Sequence, residues 1–131
     1  MIDPKAADLY ESPKPFQRYM KLLVDPYMFP GTPLTVAQVY YPPGAKGPLH
    51  SHVKTTEIYF VLTGELVARV HGKRYKVKRG QLLYIPPLLE HRAENAGSKA
   101  CCFMTINTPL GPDMPELQVR QTWRVVVRKH R

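Results

Sequence analysis

The sequence predicts an all-β fold, a sandwich or barrel of short strands, from two main observations. Runs rich in Val, Ile and Tyr recur along the chain, punctuated by 14 Pro and 8 Gly. No window sustains helical periodicity over three or more turns, and there is no internal repeat. At 131 residues and 44% apolar content, the chain fits one domain with ample material for a core.

Taken in order, residues 1–17 are polar and Pro-rich (Pro4, Pro13, Pro15), an arm either loose or packed on a partner subunit. Residues 18–131 form the single domain. Tyr19–Val24 is a strand that Asp25-Pro26 ends, and residues 26–33 are a Pro/Gly loop. Leu34–Tyr41 is β-branched and aromatic, and Pro42-Pro43-Gly44 stops it. In Glu57–Leu62, Glu57, Tyr59 and Val61 share one face and Ile58, Phe60 and Leu62 the other. The second face is wholly apolar and is expected to pack on the core, while the first looks into a site. Leu66–Val70 and Arg74–Val77 flank His71-Gly72-Lys73 as a hairpin. Gln81–Ile85 ends at Pro86-Pro87, His91 begins an extended piece, and Ala100–Asn107 and Trp123–Val127 complete nine or ten strands.

The formal charge is +9, with basic residues on the hairpin (Lys73, Arg74, Lys76, Lys78, Arg79) and at the end (Arg124, Arg128, Lys129, Arg131). Such interleaving reads first as a solvated surface, and nucleic-acid binding is not expected. Attraction for an acidic small molecule is the functional version. Cys101 and Cys102 are adjacent, so on a strand they point opposite ways and do not bridge. They read as small core hydrophobes. No run approaches the roughly 20 apolar residues of a membrane span, and a cytoplasmic protein is expected. His71 reads as a solvated turn residue, and His130 as part of a charged terminus.

The chemistry concentrates between Gly44 and Gly64. His50 and His52 are two apart, so on an extended chain both imidazoles enter one space, and Glu57 adds a carboxylate. Neutral imidazoles with a carboxylate suit a divalent transition metal. His91 follows a diproline stop and, in a closed sheet, reaches the same interior. Tyr59, two residues from Glu57, and Tyr84 are candidates to line the pocket.

These residues resemble the cupin motifs. Gly44, His50, His52, Glu57 and Gly64 match the first motif at every fixed position. Gly80, Pro86, His91 and Asn95 match the second, with Leu88 in place of its inner Gly and Gln81 where Asp often stands. The resemblance implies a double-stranded β-helix, or jelly-roll barrel, with His50, His52, Glu57 and His91 holding one divalent metal (Fe, Mn, Ni, Zn, Cu or Co). It also implies a homodimer. The function it suggests is metal-dependent chemistry on a small oxygen-rich or anionic molecule, dioxygenase-like first, with sugar isomerase or lyase chemistry as alternatives. A non-enzymatic binding or sensor module is the competing class.

Overall fold

In the computed structural model, which describes residues 1–129, ten strands carry the chain. They are β1 (Leu9–Glu11), β2 (Tyr19–Val24), β3 (Thr35–Tyr41), β4 (Thr56–Thr63), β5 (Glu65–Val70), β6 (Lys73–Lys78), β7 (Leu82–Ile85), β8 (His91–Glu94), β9 (Cys101–Thr108) and β10 (Arg124–Val127). A 3-10 turn, Pro115–Gln118, runs into a one-turn helix α1, Val119–Thr122, just before β10. Seven strands form one sheet in the order β10-β1-β2-β3-β9-β4-β7, and three form the other, β6-β5-β8. Every pairing is antiparallel. Strands distant in sequence lie side by side, and the two sheets close on one core as a jelly-roll barrel.

The interior is built by alternation. On β3, Ala37, Val39 and Tyr41 point in; on β9, Cys101, Phe103, Thr105 and Asn107 do; on β5, Leu66, Ala68 and Val70 do. Phe103 sits edge-on to Tyr41 and Tyr59, with ring centroids 5.1 and 5.5 Å away. Truncating it to Ala removes contacts worth about 3–5 kcal/mol. Gly64 lets the chain turn from β4 into β5 at φ +75°, where a Cβ would lie 2.6 Å from the Ala100 carbonyl oxygen.

Four expectations are corrected. The N-terminal arm is not wholly separate: Leu9–Glu11 pairs with both β2 and β10. Three residues carry too short an alternation to show in the sequence. On β4 the row that was expected to look inward does so, but the wholly apolar row does not pack on the core. Glu57, Tyr59 and Val61 are the buried row, whereas Ile58, Phe60 and Leu62 lie half-exposed on the outside of the large sheet. Apolar residues on both faces remove the signal that assigns a side. The interior accepts Glu57 because histidines meet it there. Tyr84 goes the same way as Ile58, its partner in register, and is 60% exposed on the outer face, outside the wall of the cavity beside Glu57. Finally, residues 115–122, between the last two expected strands and assigned to no element in the sequence, form short helical turns that bury Glu116 and Val119.

The basic residues of β6 are solvent-facing as expected, and Lys76 pairs loosely with Glu65 at 3.6 Å. His71 is an exposed turn residue at φ 50°. Cys101 and Cys102 are buried and unbridged. Among the described residues no helix is long and apolar enough to cross a membrane. His130 lies outside the described residues.

Candidate metal centre

His50 and His52 belong to the loop joining β3 to β4, not to a regular strand. Backbone bonds spaced along that loop fasten it to β8. The amides of Gly44, Gly47 and His50 donate to the carbonyls of Asn95, Ala93 and His91, and His91 returns a bond to His50 at 2.8 Å. His50 and His91 are therefore directly opposed, with ring centroids 4.4 Å apart. The Leu88 amide donates to the His52 carbonyl at 2.8 Å, and Thr55 Oγ1 donates to the Pro109 carbonyl at 2.7 Å. Glu57 follows at the start of β4 and points inward, opposite Asn107 on one side and Ile85 on the other.

The backbone fixes which ring nitrogens face the centre. His50 Nδ1 lies 2.8 Å from the Pro48 carbonyl oxygen, and His91 Nδ1 lies 2.9 Å from that of Leu89. A carbonyl only accepts, so each Nδ1 carries its proton and each Nε2 is left to the interior. His91 Nε2 is 2.8 Å from Glu57 Oε1. Burial alone would raise the Glu57 carboxyl; the His52 and His91 imidazoles outweigh it and bring it down to about 2. Burial lowers His91 too, but the Glu57 carboxylate more than offsets it and leaves it raised. His50, less close to the carboxylate, is lowered by burial.

One ligand atom from each of His50, His52, Glu57 and His91 lies within 4.8 Å of the others, so the four could hold one metal ion. His52 provides the test of fit. It is 3% exposed, and both its ring nitrogens are buried without a hydrogen-bond partner among the described residues. Glu57 Oε1 is 3.5 Å from Nε2 and Asp113 Oδ2 is 3.9 Å from Nδ1, both beyond good hydrogen-bond geometry. A buried imidazole with neither nitrogen satisfied is costly, and a divalent cation among three imidazoles and a carboxylate would take up one of the two.

The sequence placed all four of these residues together, and the structure does bring them together. Tyr59 lies on the pocket wall, as expected. Asn95 has a different task. Its Nδ2 donates to the Tyr41 and Lys99 carbonyls and its Oδ1 accepts from Gly97, so it shapes the turn after β8. Leu88, standing where the motif has Gly, keeps the left-handed backbone at φ 75°.

A cavity of about 260 Å³ opens beside the cluster, with His50 and Glu57 in its wall. Among its other polar residues, Arg18, Thr105, Glu116, Gln118 and the indole of Trp123 were not found from the sequence. Only strand parity pointed to Thr105, and nothing chose between the two faces of β9. Arg18 and Glu116 come from segments the alternation does not cover. Gly47 makes room here, because a Cβ on it would lie 2.8 Å from the Tyr41 hydroxyl and 3.3 Å from Arg18 Nη1.

Residues 37–107, more than half the chain, match the family model for the cupin domain, and the chain belongs to that family. It is 34% identical over 76 residues to an uncharacterized protein of Methanocaldococcus jannaschii, covering 58% of this chain and 61% of that one. It is 33% identical over 70 residues to an oxalate-binding protein of Thermotoga maritima, covering 53% of this chain and 58% of that protein. The match thus spans about three fifths of these curated relatives. The fold is shared with the crystal structure of a predicted oxalate decarboxylase from Thermotoga maritima. That comparison has a TM-score of 0.75 at 23% identity and covers 84% of this chain and 99% of the other.

Proposed function

We propose that this cupin is a metal-dependent enzyme acting on a small, oxygen-rich anion, with His50, His52, Glu57 and His91 as its metal ligands. The observation that carries the reading is the juxtaposition of that donor set with a cavity holding Arg18. Among the described residues Arg18 forms no ion pair with a carboxylate, and its guanidinium lies over the Trp123 ring at 5.1 Å. Its Nε donates to the Phe16 carbonyl at 2.8 Å, and a half-buried guanidinium that meets no carboxylate suits a ligand carboxylate. A bound divalent metal would supply Lewis-acid or, for iron, oxygen-activating chemistry to a ligand oxygen. The chain's residues would orient the anion: Arg18 holds its charge, and the rings of Tyr41, Tyr59 and Phe103 wall the cavity. Dioxygenase-type chemistry is the first choice because three imidazoles and one carboxylate leave coordination positions open.

Aerobic and anaerobic assays of protein loaded with iron, manganese, nickel or zinc, against small carboxylic acids, diketones and sugar acids, test this reading. The expected result is turnover with at least one metal; none with any would overturn it. A second reading, binding without turnover, is favoured by the likeness to a protein named for binding oxalate. It predicts a ligand-dependent rise in melting temperature with the ligand recovered unchanged.

We further propose a homodimer packed through the outer face of the large sheet. Across β9, β4 and β7 that face carries Met104, Ile106, Ile58, Phe60, Leu82 and Tyr84, with no charged residue. The charge of this +9 chain sits partly on the opposite sheet, at Lys73, Arg74, Lys76 and Lys78, so a second copy stacked face to face meets no like charge at the contact. The unbridged cysteines fit a reducing compartment, and a cytoplasmic location is part of this proposal.

A further inference from the structure

Two polar atoms in the cavity wall belong to no part of the metal cluster and have nothing to pair with. Thr105 Oγ1 and Glu116 Oε2 are buried without a hydrogen-bond partner among the described residues. Thr105 is 4% exposed and Glu116 5%, and both residues face the cavity. Leaving such groups unpaired costs roughly 1–3 kcal/mol each, and more for a carboxylate. Packing does not demand them. Thr105 sits in register between Ala37 and Tyr59, where a Val of the same shape would fill the space. A cation, a hydroxyl and a carboxyl therefore converge on one small cavity from three segments: Arg18 before β2, Thr105 on β9 and Glu116 before α1.

We propose that Arg18, Thr105 and Glu116 form an organic-acid subsite beside the metal centre that takes a short hydroxycarboxylic acid, its carboxylate on Arg18 and its hydroxyl between Thr105 and Glu116. This rests on the small-anion reading above and names the anion's class. A ligand hydroxyl is the group that fits both orphaned atoms, since it accepts from the Thr105 hydroxyl while donating to Glu116. It also suits Glu116 in either state, donating to the carboxylate or accepting from the acid. Burial, reinforced by the charge of Glu57, raises that carboxyl to about 7, so both states are available near neutrality. A second carboxylate in place of the hydroxyl has no proton to give the ionised Glu116 and brings another negative charge toward Glu57 and Glu116. The volume of about 260 Å³ falls below the usual range for drug-sized ligands and restricts the acid to a short one.

Calorimetric titration of the zinc-loaded protein with lactate, propionate and malonate tests the assignment, because lactate and propionate differ by the hydroxyl alone. Lactate is expected to bind at least about tenfold more tightly than either other acid. In Thr105→Val the lactate-to-propionate ratio should collapse toward one with metal content unchanged. Arg18→Gln should weaken all three acids. Equal binding of lactate and propionate would overturn the subsite. So would a lactate preference that survives Thr105→Val, since chelation by the metal would then explain it. Metal content measured on the same samples separates the two proposals. A metal-bearing protein with no hydroxyl preference removes the subsite alone, and a metal-free protein whose preference depends on Thr105 removes the metal reading alone.

Discussion

Replacing Glu116 by Gln tests whether this carboxyl is held in the interior at a cost to stability. The Glu116 carboxyl is buried, and burial together with the Glu57 charge raises it from 4.5 to about 7. The folded state then holds its proton more tightly than the unfolded chain does. Stability from this group is full below pH 4.5, declines as pH rises toward 7, and is lost above that. A shift of this size corresponds to about 3 kcal/mol at pH 8. Glu116→Gln keeps the shape and removes the titration. Its own amide adds only a constant offset, so the quantity to read is how the difference between variant and parent changes with pH. Urea unfolding of metal-stripped protein between pH 4.5 and 8 measures it. The variant should gain about 3 kcal/mol on the parent across that range, equivalent to roughly 10 °C in melting temperature at pH 8. A difference that stays constant with pH would refute the argument. A gain at neutral pH would also mean that Glu116 is retained against stability, as expected of a residue serving a ligand.

Leu88→Gly should stabilise the protein by up to about 1 kcal/mol, because Leu88 is 70% exposed at φ 75° and Gly relieves the left-handed strain. The greater freedom of Gly in the unfolded chain trims the gain, and chemical denaturation gives the value. Gly64→Ala should cost about 2–3 kcal/mol in the same assay, since its Cβ would lie 2.6 Å from the Ala100 carbonyl oxygen at φ +75°. The proposed dimer predicts that the parent sediments as a dimer and Phe60→Lys on the outer sheet face as a monomer, with circular dichroism unchanged. A variant that sediments like its parent would discount that face as the contact.

The four candidate ligands were legible in the sequence, three through local spacing and His91 through the second motif. His50 and His52 enter one space through their two-residue separation, and His91 reaches it through a backbone pairing with His50. What the sequence hid depended on which side of a sheet is inside. Both faces of β4 are apolar apart from Glu57, so hydrophobic alternation favours the wrong face, and Tyr84 was misplaced by the same ambiguity. Arg18 and Glu116 were hidden for another reason: each lies outside the alternating strands and reaches the cavity only through tertiary packing. Leu88 shows a departure from a motif without a departure from its shape, since the loop imposes φ 75° on whatever residue stands there.

The central claim is that His50, His52, Glu57 and His91 hold a metal, and His52 tests it most sharply because neither of its buried nitrogens has another partner among the described residues. Elemental analysis of the purified protein and of His52→Ala, with folding of both confirmed by circular dichroism, measures it directly. The account predicts close to one divalent transition metal per chain in the parent and a large loss in the variant, with a lower melting temperature. Equal metal content in the two proteins, or none in the parent after incubation with each candidate metal, would contradict it.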